Sequence, residues 1–180
     1  MNLLEVAVAG AVFSVAVLGQ LHIQLRAGQA LMDAQQRTQA TVLANDLIGR
    51  VRANYEAAQH YQAAELGDLS RLLLTPPCLV DCLPHELAAL DLQVWEQLLT
   101  GQIEANSENR ISSPVLVSPR ACISYDSGLL AIAIAWRSAA DLSPPSSYTG
   151  AARCGLDLNL YGENDRRRRL LMVESYVPQR

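Results

Sequence analysis

The chain opens with MNLLEVAVAGAVFSVAVLGQLH, residues 1–22, and this stretch decides the fold. From Leu3 to Leu21 it is almost wholly apolar, and these nineteen residues at the helical rise span about 28 Å, close to the hydrocarbon thickness of a bilayer. Glu5 interrupts the run. Because a carboxylate deep in lipid costs about 3 kcal/mol even on the gentler insertion scale, we expect Glu5 to have a partner.

Three interpretations of this stretch are open from the residues alone. A cleavable secretory signal needs a basic region before the apolar run, but no basic residue precedes Arg26. A plain membrane anchor explains the apolar length and leaves Glu5 unexplained. The third interpretation is a helix that leaves the bilayer to pack among similar helices, where Glu5 meets a positive charge on a neighbour.

The helical pattern continues beyond the apolar run. Apolar and small residues recur at helical spacing from Ile23 to Val51, and no proline precedes Pro76. We therefore predict one helix from about Leu3 to Asn54, roughly 75–80 Å long. A helix of this length exceeds what a globular domain needs and suits the spine of a fibre.

The first six residues resemble the mature N-terminus of type IV pilins, which has a hydrophobic first residue and a glutamate at the fifth position. The resemblance implies that a prepilin peptidase cuts just before Met1 and methylates its amino group, and we expect the numbering to be that of the processed protein. It also implies that Glu5 neutralises the N-terminal amine of a neighbouring subunit during assembly. An α-amino group with a pKa near 7.7–8.0 is a cation, so such pairing removes two uncompensated charges from an apolar bundle. The alternative is an incidental acidic residue near the membrane surface.

Further along the chain, the sequence is similar to the minor pilins called type IV pilus modification protein PilV. The similarity rests on LRA, LAxDL-type and RxRAN segments in the long helix and on a tryptophan-containing segment after it: Leu25–Ala27, Gln39–Leu47, Arg50–Asn54 and Cys82–Trp95. His22 stands where many major pilins have proline, which leaves a kink at that point open.

A second helix is predicted at residues 84–100. Pro84 suits the first helical position, Glu86 is favourable in the first turn, and Gly101 ends the helix. Trp95 is interpreted as a core anchor beside the apolar face. That face is predicted to consist of Leu87, Leu90, Val94 and Leu98.

Strands are predicted after Gly101. Large residues at 130, 132, 134 and 136 alternate with alanines, which indicates a strand packed on a helix by its large side. Asp126-Ser127-Gly128 predicts a turn before it. Other predicted elements are strands at 115–117, 121–125, 156–160 and 170–177, a short helix at 68–74 and a loop at 143–147.

The predicted fold class is α+β, a pilin fold in which a long N-terminal helix packs against a C-terminal antiparallel sheet. The hydrophobic half of that helix, residues 1–22, belongs to the membrane or the pilus core. Residues 23–180 form the periplasmic or extracellular head, which includes the amphipathic half of the helix, the helix 84–100 and a sheet within 111–180.

Four cysteines follow an apolar leader that would carry the rest of the chain out of the cytoplasm, so disulfides are expected. Cys78 and Cys82 flank a short loop between prolines and are paired, which leaves Cys122 with Cys154. The second bond closes a loop of about 32 residues and contributes roughly 3–4 kcal/mol by the chain-entropy model. A zinc site is the alternative, but the spacing of these cysteines fits known zinc motifs poorly.

Composition and motifs exclude several functional classes. The net charge is −4 and no basic stripe indicates nucleic acid. The three histidines, His22, His60 and His85, belong to no catalytic motif, so we expect neither an enzyme nor a cofactor or metal site. The charge run Arg166–Arg169 is interpreted as a solvated hairpin loop, with an acidic surface on the next subunit as the alternative.

The resemblance implies a minor pilin that primes type IV pilus assembly and enters the pilus tip. Its expected partners are other minor pilins and the major pilin through their N-terminal helices, the inner-membrane assembly platform, prepilin peptidase and an adhesin at the tip. Its expected location is the bacterial inner membrane, with a single span and a periplasmic head, and then the cell-surface pilus. A minor pseudopilin of type II secretion and a signal-anchored periplasmic binding module are the two alternatives.

Overall fold

The computed structural model describes residues 2–68, 78, 81–102, 116–141 and 150–178. Its residues form two compact units, Met1–Ala34 and Gln35–Arg180. They are called the N-terminal unit and the head from here on, so that the head now begins at Gln35 and not at the predicted residue 23. The predicted division after residue 22 concerns the hydrophobic span and stays a prediction.

Helix α1 runs from Leu3 to Ala53 and confirms the predicted long helix. Its first buried residue is Gln36, so the apolar side chains before that position are not covered within the described chain. Further along, buried positions recur three or four residues apart and form one stripe, as expected of an amphipathic helix. The stripe consists of Gln36, Ala40, Leu43, Ala44, Leu47, Ile48 and Val51.

Helix α2 runs from Pro84 to Thr100, at the predicted bounds, with Gly101 in the left-handed conformation at its end. Its buried face is not the predicted one: Leu87 is exposed, and Leu90, Val94 and Leu98 are only half-buried. The buried residues are Ala88, Trp95, Glu96 and Leu99. The buried face of α2 is therefore rotated about the helix axis from the predicted face, and it includes the small Ala88. Trp95 is fully buried in the core, as predicted.

Within the described residues, four antiparallel strands form one sheet in the order β1-β2-β3-β4, which confirms the α+β fold class. Their bounds are Ala63–Leu66, Arg120–Asp126, Leu129–Arg137 and Arg168–Tyr176. Strand β1 lies outside the predicted sheet region 111–180. It follows a short 3-10 helix at Tyr55–Tyr61, which the sequence analysis also did not predict.

The turn between β2 and β3 lies at Ser127-Gly128, as predicted. Both residues have positive φ, 49° and 87°, as a two-residue type I′ hairpin requires. A Cβ atom at Gly128 would lie 2.8 Å from the ring of Tyr176, so both the backbone and the packing demand glycine here.

Two predicted strands are wrong. Of the strand predicted at 115–117, the described residues Leu116 and Val117 lie in a bend and not in a strand, and residue 115 lies outside the described residues. The carbonyl of Val117 still accepts a hydrogen bond from the N–H of Arg137 at 2.8 Å. Residues 156–160 form turns instead of a strand, because Asp157 and Asn159 adopt positive φ values that interrupt extended backbone. Of the predicted helix at 68–74, only Asp68 is described, and it is not helical; residues 69–74 and the predicted loop at 143–147 lie outside the described residues.

The core of the head joins the long helix to the large-residue side of β3. Leu130, Ile132, Ile134 and Trp136 belong to the same buried cluster as the α1 stripe, which confirms the alternation predicted for this strand. Alanines occupy the other side of β3, and they too are buried, as Ala133 and Ala135 show. The sheet is therefore covered on both faces along this strand.

Residues 150–155 cover part of that alanine side. A disulfide joins Cys154 to Cys122 on β2, with 5.7 Å between the Cα atoms. Arg168 on β4 donates hydrogen bonds to the carbonyls of Cys154 and Ala152, both at 2.7 Å. Arg168 is buried by these contacts, so the interpretation of the arginine run as a uniformly solvated loop is wrong at this position.

Candidate functional site

The first turn of α1 holds the glutamate that the sequence analysis singles out. Asn2 precedes the helix, and its backbone N–H donates to Oε2 of Glu5 at 3.0 Å. A glutamate three residues into a helix commonly reaches back in this way, and its charge also suits the positive end of the helix dipole. The structure therefore gives Glu5 a local role. Met1, the predicted site of processing and methylation, lies outside the described residues.

The sequence analysis missed this local role, although the spacing Asn2-x-x-Glu5 is a recognisable capping signal. A neutral N–H satisfies one acceptor site of a carboxylate but brings no opposite charge. Among the described residues, no salt bridge to Glu5 is formed. The need for a cationic partner in an apolar environment therefore stands beside the capping role.

The surface around Glu5 is apolar and exposed. Leu3 and Leu4 are 86% and 70% exposed, and Phe13 further along is 70% exposed. By length and composition α1 could cross a membrane, since its most apolar window has a mean hydropathy of 1.9 and none of that window is buried. Soluble monomers rarely leave so large a continuous apolar surface in water, so this surface needs lipid or other helices around it.

The other end of α1 joins α2 through a polar network in the head. Arg50 donates to Asp46 at 2.8 Å and to Asp91 on α2 at 3.0 Å. The hydroxyl of Tyr61 donates to the other oxygen of Asp91 at 2.6 Å. Asn54 completes the network by donating to the carbonyl of Pro84 at 2.7 Å. These bonds fix the start of α2 against the end of α1.

The network shifts two pKa values. Burial raises the pKa of Tyr61, and its hydrogen bond to Asp91 raises it further. Burial acts to lower the pKa of Arg50, but hydrogen bonds and charge attraction from Asp46 and Asp91 outweigh it, so the pKa of Arg50 is raised. Both groups therefore stay protonated, which suits a structural network and not proton transfer near neutral pH.

The segment Arg50–Asn54, part of the resemblance to PilV, also reaches the sheet. Arg52 donates to the hydroxyl of Ser175 on β4 at 3.0 Å. Arg50 donates to Asp91 in α2, and Asn54 donates to the carbonyl of Pro84, the first residue of α2. The polar residues of this segment thus connect the end of α1 to two other elements of the head.

The cysteines form the pairs that the sequence analysis predicts. Cys78 is joined to Cys82, and Cys122 to Cys154, each with 5.7 Å between Cα atoms. All four sulfurs are used in these bonds, which leaves no thiolate for the alternative zinc site. Within the described residues no group of three His, Cys, Asp or Glu side chains could hold a metal ion.

A comparison with models of known protein families gives a match for part of the chain. Residues 22–93 match the family model described as Type IV pilin Tt1218, of the Tt1218-like family. The matched region runs from the end of the apolar stretch into α2 and includes every residue of the polar network. No curated protein and no solved structure matches the chain. The family match, the long helix that changes from apolar to amphipathic and the four-stranded antiparallel sheet together support the recognition of this chain as a type IV pilin.

Proposed function

We propose that this chain is a minor pilin of the PilV type, which primes assembly of a type IV pilus and enters its tip with other minor pilins. The observation that carries the proposal is the exposed apolar surface of α1 with a carboxylate in its first turn. The role is structural, and the chain acts by assembly and not by catalysis.

The proposed mechanism is an exchange of surroundings for the apolar part of α1. Moving this surface from lipid into a bundle of similar helices exchanges one apolar environment for another, so burial alone gives little direction. The charge of Glu5 supplies that direction, because it gains a neighbour's N-terminal ammonium group in the bundle and has no such partner in lipid. The partners in this step are other minor pilins, the major pilin and the inner-membrane assembly platform.

The same proposal covers processing and location. Prepilin peptidase exposes and methylates the amino group of Met1, the head folds in the periplasm, and the subunit then moves to the cell surface. The two disulfides fit an oxidising compartment. An adhesin at the tip is a further proposed partner.

The test replaces Glu5 by Gln and, separately, by Ala. Gln keeps an oxygen that can accept the N–H of Asn2 but removes the charge, whereas Ala removes both. If charge pairing drives assembly, both variants lose at least about ten-fold of the subunit from sheared pili, which corresponds to about 1.4 kcal/mol or more. Quantitative immunoblots of sheared pili and of inner membranes measure the effect.

The matched control is Glu86→Gln, since Glu86 accepts the N–H of Leu83 at 3.0 Å in the first turn of α2. This control should enter pili normally. Normal entry of Glu5→Gln together with a defect in Glu5→Ala would assign Glu5 to capping and refute the charge-pairing mechanism. Secreted protein measured in the same cells separates the pseudopilin alternative, because loss of secretion with normal pili points to type II secretion.

A further inference from the structure

A polar cleft of about 340 Å³ lies at the end of the head where β3 stops and β4 starts. It is lined by Arg137, Asp141, Gly162, Glu163, Arg166 and Arg167. This group is called the arginine cleft. It contains none of the residues assigned above to membrane insertion or assembly.

Backbone pairing builds the cleft. Arg137 is the last residue of β3, and it pairs with Arg168 at the start of β4. The N–H of Ser138 donates to the carbonyl of Arg167 at 2.8 Å, and the N–H of Arg167 donates to the carbonyl of Tyr161 at 2.9 Å. These bonds hold the arginines on the two sides of the cleft in place through the sheet.

The cleft has more positive than negative groups, although the whole chain has a net charge of −4. Arg167 donates through Nε to Asp141 at 2.7 Å. That hydrogen bond, aided by the charges of Arg167 and Arg166, lowers the pKa of Asp141. Three arginines and two acidic residues thus line the cleft.

Two of these guanidinium groups have room for another acceptor. Within the described parts of the chain, the side chains of Arg137 and Arg166 form no hydrogen bond and no ion pair. The stretch that follows Asp141 in the sequence, residues 142–149, contains no acidic residue. A carboxylate that enters the cleft would therefore meet paired donors on planar guanidinium groups, the arrangement that binds carboxylates in bidentate fashion.

We propose that the arginine cleft binds an Asp or Glu side chain of a neighbouring pilin head in the assembled pilus. This inference rests on the pilin function proposed above and adds a specific contact between heads. A carboxylate held between heads is partly removed from water, which strengthens its attraction to arginine and also selects against neighbours with a basic side chain at that point. The contact fixes which head lies next to this one, while the apolar helices hold the bundle together.

The experiment places a photoreactive amino acid at Glu163, which is exposed and lines the cleft. The full-length protein is irradiated in piliated cells, and the cross-linked peptides are identified by mass spectrometry. We expect a cross-link to an acidic segment of another pilin head. A cross-link to phospholipid, to nucleic acid or within the same chain would overturn the inference, as would the absence of any cross-link.

Charge reversal adds a second measurement. In the background with the photoreactive residue, Arg137→Glu combined with Arg166→Glu should reduce the cross-link at least ten-fold, and Arg166→Glu alone should reduce it less. The matched control is Arg153→Glu, because Arg153 has a side chain 63% exposed and lies outside the cleft. Tryptophan fluorescence of each purified full-length variant in detergent establishes that the head is folded.

The two proposals fail in different ways. If Glu5→Gln blocks entry into pili but the double reversal cross-links as well as the parent protein, the cleft inference fails and the pilin function stands. If Glu5→Gln and Glu5→Ala both enter pili normally, the proposed assembly mechanism fails, whatever the cleft binds.

Discussion

The N-terminal unit and the head use apolar residues in opposite ways. In the first, large apolar side chains such as Leu3 and Phe13 are mostly exposed, whereas in the second, Trp95 and Leu130 are completely buried. The head therefore gains its stability from internal packing, and the N-terminal unit depends on what surrounds it. Substitutions in the two regions should accordingly have separable effects, on the folding of the head and on assembly.

The first turns of α1 and α2 give the closest comparison between the regions. Glu5 and Glu86 occupy the same helical position, and each accepts the N–H of the residue three positions earlier at 3.0 Å. Local geometry is thus the same in both turns. Any difference between their glutamine variants must come from the surroundings, which are exposed and apolar for Glu5 and lie within the folded head for Glu86.

The largest expected effect on the head comes from Trp95→Ala. The indole is fully buried and its N–H donates to the carbonyl of Leu43 at 2.9 Å. Truncation should lower the free energy of unfolding by about 3–5 kcal/mol, because it leaves a cavity at the contact of α1 with α2. Chemical denaturation of the full-length protein in detergent, followed by the fluorescence of Trp136, measures the loss.

Trp95→Phe is the control for this prediction, since it retains an aromatic ring and removes only the hydrogen bond and part of the volume. It should cost clearly less than the alanine variant. Equal stability of Trp95→Ala and the parent protein would contradict the view that internal packing stabilises the head, in contrast to the exposed N-terminal unit.

Removal of the Cys122–Cys154 bridge should have the next largest effect. The two cysteines are 32 residues apart, and opening this loop by replacing both with Ser should destabilise the head by about 3–4 kcal/mol in the chain-entropy model. The denaturation midpoint reports the change. The Cys78–Cys82 bridge joins cysteines only four positions apart, so replacing both with Ser should cost less. A larger cost for the short loop would contradict this order.

Tyr61→Phe should cost about 1.5–3 kcal/mol at pH 8, because the hydroxyl donates to the carboxylate of Asp91. The raised pKa of Tyr61 also predicts a pH dependence. The unfolded state releases the phenolic proton above the ordinary pKa of 10.0, whereas the folded state retains it. The stabilisation of the folded state by the Tyr61 hydroxyl is therefore complete below pH 10 and is lost as the pH rises above that value.

Denaturation midpoints measured between pH 8 and pH 11 test this dependence. Tyr161, whose pKa is also raised by burial, adds a loss of the same sign, so Tyr161→Phe is measured beside Tyr61→Phe. The parent protein should lose more stability over this range than either variant. An equal slope in Tyr61→Phe would show that its hydroxyl does not contribute.

The smallest expected effect comes from Leu18→Ala in the N-terminal unit. Leu18 is 67% exposed, so its truncation should change the stability of the head by less than about 0.5 kcal/mol. Both tryptophans, Trp95 and Trp136, lie in the head, and fluorescence therefore reports the head alone. A loss comparable with that of the core variants would show that the two regions are not energetically separate.

The sequence predicts the elements whose pattern is long or whose boundaries carry specific residues. The helix α1 is fixed by an uninterrupted period, and α2 by Pro84 at its start and Gly101 at its end. The turn at Ser127-Gly128 follows from the same logic, because few residues accept two successive positive φ values. In each case the deciding information is local.

Elements that depend on distant partners are not predictable in this way. Ala63–Leu66 has no alternation of its own and becomes a strand by pairing with β2 through an irregular register. Residues 156–160 show the alternation but pair with no strand in the part of the chain that the structure describes, and they form turns and bends instead. The buried face of α2 is displaced because Glu96 enters the interior to accept the N–H of Gly67 at 2.6 Å, a contact 29 residues away.

The candidate functional residues also divide into those with a local sequence signal and those that depend on distant partners. Glu5 and the apolar surface are evident from the sequence, because a charge in an apolar run stands out without any structure. The polar network around Asp91 and the arginine cleft are not evident, since their members come from separate elements. Only the fold brings an arginine from the end of β3 beside those that precede β4.

The polar contacts along the buried part of α1 have a mechanical consequence. Gln36 accepts the N–H of Val117 at 3.2 Å, the carbonyl of Leu43 accepts the indole of Trp95, and Asn54 donates to Pro84. These contacts span about 27 Å of the chain, so sliding the helix by one turn would break all of them together. A force along the helix axis would load all of these contacts at once, whereas a force perpendicular to the axis would break them one after another. We therefore expect the head to resist a force along the axis of α1 better than a force perpendicular to it.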